Sequence, residues 1–241
     1  MTLPLFISAD PKLIGDAFDH EDFVFELKMD GFRAVAYIGK NETCLLSKGG
    51  RLMKRFANLG TAICTELNCE AVLDGEIVVL DSEGRPRFYD LMRGRGQPVF
   101  YVFDLLWLDG KDQRSRSLLE RKRILRSIVP QQPSVLLYAD HVERYGIDFF
   151  RLACELDLEG IVAKRKVGVY GDSWFKISGQ ANFRSGLRSD HSSRDGPTWS
   201  VTAQSGDLRY SLVGMRKAPL RFRRNLRTRS PFRSTTLRDM S

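Results

Sequence analysis

The sequence predicts an α+β domain built on antiparallel sheet with inserted helices, residues 1–177, followed by a poorly structured basic tail, residues 178–241. Short strands follow one another closely in the first part, and two strongly signalled helices lie between them, which is typical of this fold class. The composition then changes abruptly, to an Arg/Ser-rich tail. The chain has 241 residues, 42% of them apolar, which is enough for one sizeable core.

Aromatic and β-branched residues mark the strands of the first part. The nearly continuous apolar run at residues 99–106 predicts a buried strand. Residues 72–80 are interrupted by Asp-Gly-Glu and predict either a pair of strands or one bent strand. Asp30 and Gly31 predict a tight turn with positive φ. The other predicted strands are residues 23–27, 34–38, 43–46 and 160–163.

Two helices have clear signals. Ser117 and Glu120 fit a capping box, and apolar residues follow at helical spacing. A second helix is predicted after Gly146, where four residues form an i, i+3, i+4, i+7 apolar stripe. We interpret this stripe as core packing; its members are Phe149, Leu152, Ala153 and Leu156.

The net charge of +8 is concentrated at one end of the chain. Residues 179–241 hold 13 basic and 4 acidic residues, whereas residues 1–178 hold 25 and 26. The first part is therefore neutral overall, and contacts to nucleic acid there would depend on local clusters. No apolar stretch is long enough for a membrane span, and no signal peptide is evident, so we expect a cytoplasmic protein. The four cysteines and three histidines suggest neither a disulfide framework nor a zinc site.

The segment at residues 26–33, Glu-Leu-Lys-Met-Asp-Gly-Phe-Arg, combines a strand end with a candidate nucleophile. Lysine attacks only when it is neutral, and nearby cations or burial lower its pKa enough to allow that. Lys28 could then attack the α-phosphate of a nucleoside triphosphate and form a phosphoramide bond. The alternative is a surface hairpin with scattered charges.

Further motifs follow in order along the chain. They are residues 47–51 (Ser-Lys-Gly-Gly-Arg), 73–76 (Leu-Asp-Gly-Glu), 101–104 (Tyr-Val-Phe-Asp), 159–164 (Glu-Gly-Ile-Val-Ala-Lys) and 174–176 (Trp-Phe-Lys). Together with residues 26–33, this series resembles the nucleotidyltransferase superfamily of DNA ligases, RNA ligases and capping enzymes. The wording of residues 25–34 and 159–164 is similar to that of bacterial ATP-dependent DNA ligases, including the ligase domain of end-joining enzymes.

The resemblance implies a role for each matched residue toward ATP. Lys28, Lys164 and Lys176 would be catalytic, with the last two and Arg33 supplying positive charge to the phosphates. Phe103 would stack on adenine. Glu26 would accept a hydrogen bond from the adenine amino group, or would instead pair with a neighbouring cation.

The resemblance also implies a metal and DNA. Glu76 and Glu159 would bind Mg²⁺ or another divalent metal, directly or through water, since magnesium prefers carboxylate and water ligands. Glu76 could alternatively contact the ribose. Arg33, Lys48 and Arg51 would contact DNA phosphates, although each could equally be a solvated surface charge.

By resemblance, the reaction has three steps. Lys28 takes AMP from ATP, the AMP passes to a 5′-phosphate at a DNA nick or break, and a 3′-hydroxyl then displaces AMP. We expect a monomer. Two other functions stay open: an RNA ligase or capping-type enzyme, and an inactive remnant that binds nucleic acid through its tail.

The sequence departs from the family after residue 177. The motif that begins at residues 174–176 lacks its second lysine, where Ser178 stands, and Lys48 replaces the usual arginine of the motif at residues 47–51. The tail is too short for the OB-fold of family ligases and lacks strand alternation. A change of reading frame would explain the shift; a genuine basic tail that grips DNA is the alternative. Without an OB-fold we expect nick sealing to be weak or absent.

Overall fold

The first of the two larger sheets carries the Lys28 segment. The computed structural model describes residues 3–130, 134–179, 198–204 and 207–213. The five-stranded sheet has the order β1-β11-β10-β2-β9, antiparallel except for the β1–β11 pair. Its strands are Lys12–Leu13 (β1), His20–Lys28 (β2), Val142–Arg144 (β9), Gly160–Arg165 (β10) and Trp174–Ser178 (β11).

The second sheet has six strands in the order β4-β3-β5-β6-β7, with β8 pairing in parallel with β6. β5 is one strand with register shifts near residues 72 and 74, so the prediction of one bent strand was right and that of a strand pair was wrong. The strands are Phe32–Ile38 (β3), Thr43–Ser47 (β4), Ala71–Val79 (β5), Pro98–Leu108 (β6), Lys111–Asp112 (β7) and Leu136–Tyr138 (β8).

Four α-helices pack against these sheets: Ala57–Glu66 (α1), Phe88–Arg93 (α2), Leu118–Ile128 (α3) and Gly146–Glu155 (α4), with a 3-10 turn at Lys54–Phe56. The predicted capping box is present at Ser117 and Glu120 at the start of α3. α4 buries Phe149 and Ala153 of its predicted stripe. The sequence did not predict α1 and α2, neither of which begins with a side-chain cap.

Most of the core lies on the outer faces of these two sheets, and their inner faces meet each other. One cluster joins the six-stranded sheet to α1 and α3, and another joins the five-stranded sheet to α4. Apolar residues of the six-stranded sheet's inner face are buried as well: Val35, Tyr37, Val72 and Leu106 form a third cluster, and Val78, Tyr101 and Leu137 join the cluster of the five-stranded sheet. β2 buries Phe25 and Leu27 in the second cluster, which directs the alternate residues Glu26 and Lys28 to the opposite face. We call the space between the two inner faces the cleft. The predicted α+β fold on mainly antiparallel sheet is confirmed.

The connection from β2 to β3 corrects one prediction. Asp30 and Gly31 do not have positive φ, because they carry the chain from one sheet to the other and not through a hairpin turn. Glycine is needed at residue 31 for a different reason. A Cβ there would lie 2.2 Å from the carbonyl oxygen of Ile77 and 2.8 Å from the Val78 side chain.

Most of the predicted tail, residues 178–241, lies outside the described residues. Within it, Thr198–Gln204 (β12) and Asp207–Val213 (β13) form an antiparallel pair. The domain boundary at residue 177 and the absence of a complete OB-fold stay predictions. In the part of the chain that the structure covers, no helix is long and apolar enough to cross a membrane.

Candidate active site

Lys28 is the last residue of β2, and its side chain is 24% exposed at the mouth of the cleft. Its Nζ forms an ion pair with Glu159, the residue before β10. Gly160, directly opposite Lys28 in the sheet, has φ of 146°, and a Cβ there would lie 2.0 Å from the Ile177 carbonyl oxygen. Glycine at residue 160 thus lets the backbone pass close to β11 and brings Glu159 to Lys28.

Three carboxylates surround Lys28 within electrostatic range. Burial raises the pKa of Glu76 to about 8, with Asp74 and Glu159 adding to the rise and Arg33 and Lys28 opposing it. Burial and Glu159 likewise raise the pKa of Asp30, and Lys28 opposes them. The sequence analysis missed Asp30 as a member of this group because it assigned the residue only to a turn.

Arg33 is fixed by a carboxylate to which the sequence analysis gave no role. Its Nε and Nη2 each donate to Asp74 at 2.7 Å, and Nη2 also donates to the Ala9 carbonyl at 3.2 Å. The Tyr170 hydroxyl donates to the same carboxylate at 2.5 Å. Burial opposes the charge on Arg33, but Asp74 outweighs it and raises the arginine pKa. Asp74 therefore positions Arg33 in the cleft.

Glu26 lies at the floor of the cleft between two lysines. Its carboxylate is 2.5 Å from Lys122 Nζ and 2.6 Å from Lys164 Nζ, and all three side chains are nearly inaccessible. Burial disfavours the Glu26 carboxylate, but the two ammonium groups outweigh burial and lower its pKa. The structure thus has Glu26 in the cation-pairing role that the sequence left open, while its contact with adenine stays a prediction.

Lys164 is enclosed by aromatic rings. Its Nζ lies 4.4 Å from the centroid of Phe103 and 4.2 Å from that of Trp174, within cation–π range. Arg33 Cζ is also 4.4 Å from the Phe103 centroid. Burial lowers the pKa of Lys164, although Glu26 opposes this. Phe103 is therefore a partner of two cations here, and its stacking on adenine stays a prediction.

A second buried ion pair fixes α3 beside the site. Arg121 Nε and Nη2 donate to Asp104 at 2.7 and 2.9 Å, and both side chains are fully buried. The sequence analysis missed Arg121 and Lys122. They lie three and four residues after Leu118, on the same helix face as Leu118 and Leu125. The signal in the sequence was the presence of charged residues on the apolar face of this helix, because charges in such positions indicate buried ion pairs.

Two of the predicted DNA contacts, Lys48 and Arg51, lie on an exposed turn at the end of β4. Lys48 Nζ is 2.8 Å from Asp10, with both side chains more than half exposed. The Lys48 hydrogen bond lowers the pKa of Asp10, and Lys176 and Arg33 add to this effect. Asp10 therefore interacts electrostatically both with this turn, through Lys48, and with Lys176 and Arg33 of the cleft.

The structure brings eight of the ten predicted site residues together along the cleft and leaves Lys48 and Arg51 on the surface. The eight are Glu26, Lys28, Arg33, Glu76, Phe103, Glu159, Lys164 and Lys176. Their chemical roles stay predictions, because position alone does not assign a role.

The sequence and the fold of this chain are similar to those of DNA ligases. Residues 8–177 match the family described as ATP dependent DNA ligase domain. The chain is 33% identical over 170 residues to the multifunctional non-homologous end joining protein LigD of Pseudomonas aeruginosa, covering 66% of this chain and 20% of LigD. It is 30% identical over 176 residues to the SPbeta prophage-derived DNA ligase-like protein LigB of Bacillus subtilis, covering 68% of this chain and 64% of LigB.

Solved structures show the same similarity. The ligase domain of Mycobacterium tuberculosis LigD has a TM-score of 0.58 and 26% identity, covering 70% of this chain and 60% of that one. A mycobacterial DNA ligase D complexed with ATP and MES has a TM-score of 0.57 and 25% identity over the same shares. This chain spans less than two thirds of the length of each of these proteins.

Proposed function

The chain belongs to the family of ATP-dependent DNA ligase domains, and from this membership we propose that Lys28 is the residue that carries AMP. The observation that carries the proposal is the position of Lys28 at the cleft mouth, beside Glu159 and within electrostatic range of Glu76. A lysine that is partly exposed can reach a substrate, which the enclosed Lys122 and Lys164 cannot do without losing their partners.

The proposed first step consumes ATP. The deprotonated Nζ of Lys28 attacks the α-phosphorus and a P–N bond forms, while the bond from the α-phosphorus to the oxygen that bridges to the β-phosphate breaks. Pyrophosphate leaves with the electron pair of that bond, and the nitrogen releases one proton to water. Arg33, held by Asp74, and Lys176 supply positive charge where negative charge gathers. Lys164 supports this cluster from the floor.

The carboxylates of Glu76 and Glu159 suit a divalent cation. Magnesium usually takes one or two carboxylates and completes its shell with water and substrate phosphate. In the described residues, no group of three or more acidic, histidine or cysteine side chains could hold a metal without other ligands. Two carboxylates at the mouth fit a cation that arrives with the nucleotide, and such an ion would neutralise phosphate charge.

In the second proposed step, AMP leaves Lys28 for DNA. An oxygen of a DNA 5′-phosphate attacks the AMP phosphorus, the P–N bond breaks, and Lys28 recovers the electron pair and a proton. Arg33, Lys48 and Arg51 are the proposed DNA-phosphate contacts. A DNA nick or break is the proposed substrate, the bacterial nucleoid the proposed location, and nick sealing by this chain is expected to be weak.

Self-adenylation tests the first step. The purified chain is incubated with magnesium and ATP labelled at the α-phosphate, and the label on the protein is measured after denaturation. We expect label on the wild type and none on Lys28→Ala, with an unchanged unfolding temperature. Lys40→Ala, which removes an exposed lysine elsewhere, should label normally. A wild type that stays unlabelled would refute the proposal.

Labelled GTP tests the choice of nucleotide. The family match favours a DNA ligase over an RNA ligase, a capping-type enzyme or an inactive remnant. We expect ATP, and not GTP, to label Lys28. Efficient labelling by GTP would restore the capping alternative.

A further inference from the structure

A groove beside α3 carries positive charge that the proposed reaction does not use. It has a volume of about 380 Å³ and lies between α3 and the chain around β8. Leu119, Lys122, Arg123 and Arg126 stand at i, i+3, i+4 and i+7, so one stripe of α3 forms a whole wall.

The two arginines of this groove are available to a ligand. Arg123 and Arg126 are exposed, and neither guanidinium has an acidic partner within 4.0 Å among the residues that the structure covers. Arg126 Cζ lies 4.7 Å from the ring centroid of Tyr138, so the ring supports one arginine from the opposite wall. Lys122 is different, because Glu26 already pairs with it.

The opposite wall adds an unsatisfied polar atom. His141 Nδ1 is buried and has no hydrogen-bond partner within the described residues, the nearest acidic atom being Asp140 Oδ1 at 4.0 Å. Asp140 is the acidic side chain in the groove lining, against Arg123 and Arg126, so the lining is positive, although Arg123 also interacts electrostatically with Glu120 on the same helix. Exposed arginines without acidic partners are suited to phosphate, which they can bind through paired donors.

We propose that this groove, formed by Arg123, Arg126, Tyr138 and His141, binds the phosphate backbone of duplex DNA away from the strand break. The proposal rests on the proposed function, because that function makes DNA the partner. Binding would be independent of sequence and of a break, since arginine contacts to phosphate carry no base information. The groove would hold the duplex while the cleft acts on its end or nick.

Intact duplex DNA tests this site without the cleft chemistry. The affinity of the full chain for an unbroken duplex is measured from 50 to 300 mM salt, for the wild type and for Arg123→Gln/Arg126→Gln. Each lost phosphate contact reduces the slope of log K against log salt by about 0.9, so we expect a reduction of about 1.8. Affinity at 100 mM salt should fall roughly tenfold.

Two variants serve as controls. Arg85→Gln/Arg151→Gln removes the same charge from exposed arginines that already pair with Glu83 and Asp148, and its slope should stay near that of the wild type. Arg123→Lys/Arg126→Lys keeps the charge and should retain most of the slope. Equal slopes for the wild type and the Arg123→Gln/Arg126→Gln variant would overturn the proposal, and so would equal losses in the two Gln pairs.

Two further readouts separate the explanations. Labelling of Lys28 by ATP should be the same in Arg123→Gln/Arg126→Gln as in the wild type. If the wild type does not label but its DNA binding depends on these two arginines, the proposed function is wrong and the DNA-binding groove is still supported. Sodium pyrophosphate tests a free anion as the ligand. If the variant loses pyrophosphate binding but keeps the DNA slope, the groove takes free phosphate and the DNA proposal is wrong.

Discussion

The floor and the mouth of the cleft hold the same residue types in opposite settings. At the floor, Glu26 pairs with Lys122 and Lys164, and their side chains are 1–3% exposed. At the mouth, Lys28 and Glu159 are 24% and 26% exposed. The floor lysines must keep their carboxylate, since water cannot replace it there. The mouth pair can exchange partners for a substrate, and this difference suits one region to structure and the other to chemistry.

Removing one carboxylate from the floor and one from the mouth should give the largest difference in the free energy of unfolding. Glu26→Gln leaves two buried lysines without their counter-charge, and breaking a buried pair costs about 3–5 kcal/mol. Glu159→Gln breaks a partly exposed pair, for which about 0–1 kcal/mol is typical. Urea unfolding of the two variants measures both free energies. Equal losses would show that the two regions do not differ in stability.

Lowering the pH should remove the contribution that the Glu26 ion pairs at the floor make to the unfolding free energy. The pKa of Glu26 is lowered from its ordinary value of 4.5 because, against burial, Lys122 and Lys164 favour the carboxylate. A lowered carboxyl pKa gives stability that is fully present above pH 4.5 and is lost as the pH falls through the lowered pKa. The difference in unfolding free energy between the wild type and Glu26→Gln should therefore shrink in urea titrations below pH 4.5. A difference that stays constant from pH 7 to pH 3 would contradict this.

The backbone that follows Lys28 and crosses from one sheet to the other should be sensitive to one methyl group. Gly31→Ala forces a Cβ against the Ile77 carbonyl, and such overpacking costs about 1–3 kcal/mol. Because Gly31 follows the Lys28 strand, ATP labelling of Lys28 should slow as well. Gly49→Ala is the matched control, since nothing lies within 4 Å of a Cβ there. If Gly31→Ala had the same unfolding free energy as the wild type, the backbone between β2 and β3 would be able to shift and make room for the Cβ at no cost.

The surface turn should matter least to stability. Lys48 and Asp10 are 54% and 62% exposed, so Lys48→Gln should change the unfolding free energy by less than about 1 kcal/mol. ATP labelling should be unaffected, whereas DNA affinity should fall if Lys48 contacts phosphate. A loss of labelling with normal stability would place Lys48 in the nucleotide site.

Sequence patterns predicted much of the fold because they are local. The capping box of Ser117 and Glu120 and the aromatic and β-branched residues of β2 act within a few residues, and the structure contains both the cap and the strand. α1 was missed because its start has no side-chain cap. Asp30 and Gly31 were misread because the dipeptide fits both a tight turn and a crossing between sheets.

The sequence by itself determined the family, the position of Lys28 at a strand end and the order of the motifs. Only the tertiary structure decided that Glu26 pairs with Lys122, 96 residues away, and that Asp74 fixes Arg33. The physical reason is desolvation. A charge needs a partner only when folding removes it from water, and which charges folding buries depends on how the two sheets and α3 meet.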